Sequence, residues 1–299
     1  MGTLKAIWSK RETDWFDRLD LDGGPFNIAE TSRDTEYEAD TFELQLSGST
    51  DNMDYVIGYY MLEDDAYTSN PQSYFLGGSA IVQNYSGAGE SEAIFGQFSY
   101  RFAEDWAVTL GARSTEEDKT GFKEYVNLIS ASGKGSFDDT TSTFILEHDF
   151  SENTNLYLKV AEGFKAGGFN AESSNPFAAS TPYAPETIES NELGLKGRYL
   201  DNRMMLNIAY FDNEHEDMQI SYFNADAAAA SEVINNSASI SGLEIESMTM
   251  LNDSTVLTLN FSTLDSEFTG NKTAQDGFFL ENIPYSPEKT LYASLEKDF

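Results

Sequence analysis

Along most of the chain, apolar and polar residues alternate with a period of two. From Asn155 to Lys165, Leu156, Leu158 and Val160 share one parity, while Asn155, Lys159, Ala161 and Gly163 share the other. That spacing predicts a strand with one apolar face, and Tyr157 is its single exception. Phe42, Leu44 and Leu46 repeat the split against Thr41, Glu43 and Gln45, as do Ile94, Phe98, Tyr100 and Phe102 against Gln97, Ser99 and Arg101. The pattern continues through Trp106–Leu110, Leu193–Tyr199, Leu206–Tyr210, Leu243–Ile245, Leu257–Phe261 and Leu291–Leu295. About twelve strands are expected, with no helix between them.

Two kinds of connection separate these stretches. Short polar turns are expected at 49–52, 103–105, 151–154, 201–203 and 252–254, and they alternate with longer connections at 67–91, 119–138, 166–187 and 268–283. Phe102, Phe150, Leu200, Leu251 and Phe299 mark the short-turn side at intervals of about 50 residues, the spacing of a repeated hairpin pair. Alternation alone fits a soluble sandwich with its polar face outward or a membrane barrel with its polar face inward. Three features favour the barrel. A run such as 155–165 covers about 36 Å and, tilted ~45°, rises about 26 Å, close to an outer-membrane apolar band. Short turns on one side and long loops on the other match the two ends of such a barrel. Phe102, Trp106, Phe150, Tyr157, Tyr199 and Phe299 gather on the short-turn side as an aromatic girdle.

Composition narrows the function. The 299 residues carry 51 Asp plus Glu against 18 Lys plus Arg, a formal charge of −33, which leaves no basic surface for a nucleic-acid backbone. Aromatic residues at 13% and 22 glycines set the chain apart from acidic disordered sequences. Cysteine is absent, so there is no disulfide, thiolate metal site or thiol nucleophile. His148 and His215 stand far apart, without the spacing of a metal site. No stretch is apolar for the ~18 residues a membrane helix needs, which leaves strands as the only way to span. No nucleophile, base and orienting group can be assembled, so an enzyme is not expected, nor is a cofactor. Acidic groups at Glu63-Asp64-Asp65, Glu116-Glu117-Asp118 and Glu214, Glu216, Asp217 read first as solvated surface, and Asp20-Leu-Asp22-Gly23 is only part of a calcium-loop pattern.

The stretch Tyr157-Leu-Lys-Val-Ala-Glu-Gly-Phe-Lys-Ala-Gly-Gly-Phe-Asn170 resembles the barrel of TonB-dependent outer-membrane receptors, especially the ferric-siderophore type. Its family motif is carried by Gly163, Phe164, Lys165, Gly167, Gly168, Phe169 and Asn170. Phe42–Ser47, Phe95–Arg101, Leu110–Arg113, Pro185–Lys196, Asn202–Ile220, Gly242–Glu246 and Pro284–Pro287 resemble further barrel landmarks in the same order. The likeness implies residues 1–299 as the middle, about strands seven to eighteen, of a barrel of about 22 strands, without plug domain or terminal strands. It also implies a transporter of the bacterial outer membrane that imports a scarce metal chelate. Its partners would be outer-membrane lipid, the chelate and a TonB-type energy-coupling protein reached through the plug. Glu43, Arg101, Arg113, Lys159, Glu192, Lys196, Arg198, Glu244 and Glu246 would face the lumen and plug charges. Phe169, Tyr183, Tyr74 and Phe75, in the longer connections, are the candidate ligand contacts. A complete twelve-stranded pore or barrel enzyme, or a soluble β-sandwich binding module, are the alternatives.

Overall fold

The alternating stretches all become strands. A computed structural model, describing residues 2–26, 28–74, 79–173, 175–224, 230–270 and 289–297, shows a 12-stranded antiparallel sheet in sequential order. The strands are β1 (Gly2–Asp20), β2 (Ala29–Ser49), β3 (Met53–Tyr74), β4 (Ser79–Ala103), β5 (Trp106–Tyr125) and β6 (Ile129–Ser151). They continue as β7 (Thr154–Lys165), β8 (Glu186–Tyr199), β9 (Met204–Asn224), β10 (Ala230–Asn252), β11 (Thr255–Phe268) and β12 (Lys289–Lys297). A single four-residue 3-10 turn, Pro176–Ala179, interrupts this pattern among the described residues. No ladder joins β1 to β12 there, so the sheet is open.

Register turns the alternation into two chemically distinct faces. One row across eight strands reads Trp106, His148, Leu156, Leu195, Ile208, Ile245, Phe261 and Leu291, each directly opposite the next. The facing row one step away reads Asn155, Lys196, Asn207, Glu246, Asn260 and Tyr292. The side of the apolar row is called outward below and its opposite inward. On β3 the outward apolar run extends from Met53 to Met61, and on β4 from Phe102 back to Ile94. At ~3.3 Å per residue each run covers roughly 26 Å along the strand, a span suited to a tilted strand in lipid.

The strands outrun that band. β3, β4 and β6 have 22, 25 and 23 residues, so the sheet projects well beyond its apolar zone on the long-loop side. This corrects the long connections expected at 67–91 and 119–138. β3 pairs with β4 out to Tyr74↔Ser79, and β5 with β6 out to Tyr125↔Ile129. Beyond the lipid zone both faces meet polar surroundings, so the apolar period that marks a strand disappears while the ladder goes on. The connection at 166–187 does exist as one, and 271–288 lies outside the described residues.

Two smaller corrections concern the aromatic girdle. Phe102, Trp106 and Phe150 do cluster outward, joined by His148, whose ring stacks on Trp106 with centroids 4.2 Å apart. Tyr157, by contrast, points inward and donates its hydroxyl to Glu192, so it is a polar-face residue. Phe299 lies outside the described residues. Asp20 and Asp22 shape the β1–β2 turn: Asp22 accepts from the amides of Gly24, Ile28 and Ala29, which draws its carboxyl below the usual range and explains the fragment as turn chemistry.

Outward and just beyond the apolar band, carboxylates face one another across strands. Asp40, Glu63, Glu90 and Asp118 form one row, Glu92, Glu116 and Asp138 a second, and Glu162, Glu189 and Glu214 a third. Like charges placed directly opposite destabilise a sheet, so these rows cost stability that the ladder and the apolar band offset.

Candidate functional site

The site follows from two strands that stop short. β7 ends at Lys165 and β8 begins at Glu186, whereas β6 starts back at Ile129 and β9 continues to Asn224. Residues 129–142 of β6 and 217–224 of β9 therefore have no ladder to β7 or β8, which leaves a notch in the projecting wall. The connection 166–185 folds inward at this notch.

Its backbone groups are met by side-chain amides. Three residues beyond the last Lys165↔Glu186 pair on each limb, Gly168 and Tyr183 pair again, the Tyr183 amide donating to the Gly168 carbonyl at 2.8 Å. At the intervening break Gln219 donates to the Ala166 carbonyl at 2.9 Å and to that of Ala184 at 3.3 Å. Asn235 donates to the Ala184 carbonyl at 2.9 Å and accepts from the Ala184 amide at 2.8 Å. Asn170 does the same for the edge of β10, donating to the Val233 carbonyl at 3.0 Å and accepting from its amide at 2.7 Å. An amide side chain carries both a donor and an acceptor, so it can stand in for a missing strand neighbour. Ser173 adds a hydrogen bond to Glu232.

On the other flank, the connection rests on the inward face of β5 and β6. Phe169 sits over Gly121 and Gly133, where an added Cβ would stand 2.6 and 2.5 Å from its ring. Gly167 meets the Tyr183 carbonyl so closely that a Cβ would fall 2.3 Å from it. Lys123 is fully buried and donates to the Ala171 carbonyl at 2.7 Å, with its ammonium 5.7 Å from the Tyr85 ring centre and 5.4 Å from that of Tyr125. It lies on the projecting part of β5, past the outward carboxylates, and burial pushes its pKa down to about 8 against the pull of Glu172. Tyr85 donates to Glu172 at 3.4 Å, and burial, then that carboxylate, push its phenol up to about 12.

Between connection and wall lies a cavity of about 400 Å³, lined by Asp64, Thr68, Tyr85, Lys119, Phe169, Glu172 and Tyr183 among others. Aromatic faces, two carboxylates and a lysine converge there, the composition of a binding cleft rather than of a reaction centre. No group of histidine and acidic side chains suited to a metal ion occurs among the described residues.

Phe169 and Tyr183 thus meet at one cavity, whereas Tyr74 lies apart at the tip of β3, its hydroxyl donating to Gln72 at 2.8 Å, and Phe75 is outside the described residues. Register places all nine expected lumen charges on the inward face, and several are already engaged within the wall. Arg101 pairs with Asp149 at 2.9 Å, Arg113 lies over Tyr60 and Phe95, and Lys196 over Tyr157. Glu43 accepts from Gln45, Glu192 from Tyr157, and Glu246 from Asn207 at 3.5 Å. Lys159, Arg198 and Glu244 are placed there by register. Gly163, Phe164 and Lys165 close β7, so the motif spans the point where the wall turns inward. Tyr85, Lys123, Gln219 and Asn235 were not singled out from sequence. The parity shared by Lys119, Gly121, Lys123 and Tyr125 is the signal that places Lys123 inward.

An apolar outward band, a polar inward face and a connection folded to the inside define the wall of a transmembrane barrel. The chain belongs to the family of TonB dependent receptor-like β-barrels, whose model matches residues 3–295. Solved structures share the fold. The ferric yersiniabactin uptake receptor FyuA from Yersinia pestis matches with a TM-score of 0.82 at 17% identity, over 99% of this chain and 44% of its own length. The copper transporter OprC gives 0.74 at 11% identity over 90% and 44%. The siderophore receptor PiuA from Acinetobacter baumannii gives 0.66 at 17% identity over 98% and 49%. The chain therefore spans less than half the length of these receptors.

Proposed function

We propose that this chain is wall and part of the mouth of an outer-membrane transporter that imports a metal chelate of the ferric-siderophore class, with energy delivered by a TonB-type partner. The observation that carries the reading is the cavity beneath the inward-folded connection, where Phe169, Tyr183 and Tyr85 offer aromatic faces to a planar ligand. Tyr74 contributes from the neighbouring tip of β3. The outward apolar band contacts outer-membrane lipid. The inward charges not engaged within the wall meet a plug domain, and that plug is the contact point for the energy-coupling protein. FyuA, a ferric yersiniabactin uptake receptor, and PiuA, a siderophore receptor, support the choice of chelate.

The test is uptake of radiolabelled ferric chelates of several classes by cells expressing the full-length protein, with and without the energy-coupling partner. Saturable uptake lost without the partner, and weakened at least ten-fold by Tyr183→Ala with Tyr85→Ala, is the expected result. Uptake of no ferric chelate, together with partner-dependent uptake of another metal complex, would reassign the cargo.

A further inference from the structure

A connection of this length at the mouth of a barrel invites description as a mobile flap, but its attachments point elsewhere. We propose that its two limbs, Ala166–Ser173 and Phe177–Ala184, form a fixed partition across the mouth, and that Asn170 and Asn235 are the positioning residues that hold it.

A flap hinges on one flank and is free on the other. Here the limbs are tied on both flanks of the notch: to β5 and β6 through Phe169 and Lys123, and to β9 and β10 through Gln219, Asn235 and Asn170. Asn170 and Asn235 each both donate to and accept from the backbone of a single residue, Val233 and Ala184 respectively. Lifting the limbs breaks both reciprocal pairs at once, uncovers Phe169 and returns Lys123 to water. The pairing is specific to a side chain that donates and accepts together. Aspartate at either position keeps the acceptor but turns a second acceptor toward a backbone carbonyl. The inference goes beyond the transport reading, because it concerns which part of the mouth stays still and holds whatever the cavity binds.

Hydrogen–deuterium exchange on the full-length protein in detergent micelles, without ligand, tests it. Wild-type amides of Gly168 and Tyr183 should exchange within about ten-fold of those in β7, on the scale of structured elements. Asn170→Ala and Asn235→Ala should each speed exchange across both limbs at least ten-fold, and Asn170→Asp should match Asn170→Ala. Asn213→Ala, on the inward face of β9 away from the limbs, should leave them unchanged. Wild-type limbs exchanging at the rate of an unstructured loop would overturn the partition. Protection that survives both alanine variants and Asn170→Asp would overturn the role of the two asparagines. If an alanine variant does not fold, the wild-type rates still decide the first claim and Asn170→Asp the second.

Discussion

The β5–β6 and β7–β8 hairpins start alike and end differently. In the apolar band both present outward leucines opposite outward aromatic or aliphatic partners, Leu110 with Phe98 and Leu158 with Leu193. Above it, β5–β6 runs on as an unbroken ladder to a tight turn, Val126-Asn127-Leu128, with Asn127 at φ 62° and the Leu128 amide donating to Tyr125 at 2.9 Å. β7–β8 breaks at Ala166 and turns inward. Its connection holds three of the seven prolines in the chain, Pro176, Pro182 and Pro185, together with the Gly167-Gly168 pair. Proline cannot donate to a ladder, and glycine allows the close approach that folding back requires. Where backbone donors are removed, the wall cannot grow, and the segment must find its hydrogen bonds in neighbouring side chains.

The shared lower part gives the largest expected effect. Leu110→Arg and Leu158→Arg should each cost about 2–4 kcal/mol, measured by reversible folding of the full-length protein into lipid vesicles, with Arg at Lys159 nearly neutral. Unequal costs for the two leucines would mean that the hairpins do not cross the same band. The upper parts separate under Gly133→Leu, which intrudes on Phe169 and the Ser180 carbonyl and should destabilise the β7–β8 connection by about 1–3 kcal/mol while leaving exchange at the β5–β6 turn unchanged.

Lys123 supplies a pH dependence. Its pKa is about 8 in place and ordinary, 10.5, once the connection opens, so the open state binds the extra proton between those values. Closure is therefore weakest below pH 8 and strengthens as pH rises toward 10.5, by on the order of 3 kcal/mol. The protection factors of the limbs, that is exchange corrected for its base-catalysed intrinsic rate, should rise over that interval in the wild type and stay level in Lys123→Met. The smallest effect concerns the Glu162, Glu189 and Glu214 row at the base of the notch. Glu189→Gln should stabilise the sheet by about 0.2–1 kcal/mol at low salt, read as a thermal midpoint, and the gain should shrink in 1 M salt.

Much of the wall was legible because lipid demands a strict alternation. Leu156, Leu158 and Val160 against Asn155 and Lys159 fix strand, face and register parity in one reading, and the nine inward charges follow from it. The crest was not legible in the same way. In Gly87-Ala-Gly-Glu90 and Gly133-Lys-Gly-Ser136 neither face needs to be apolar, so ladder and loop look alike in composition. The cavity assembles Tyr85, Lys119 and Tyr183 from separate strands and a connection, and no local spacing announces that meeting. Phe169 stood out through its motif, yet its glycine seat at Gly121 and Gly133 depends on pairings tens of residues away.

The facing carboxylate rows change what pH means at this surface. A strongly negative potential draws protons as it draws any cation, so the proton activity at the crest exceeds that of the bulk by about 0.4 pH unit for each kT of potential. The excess is largest in dilute buffer and fades as salt shortens the reach of the field. The protein thus carries its own acidic boundary layer along this outward face.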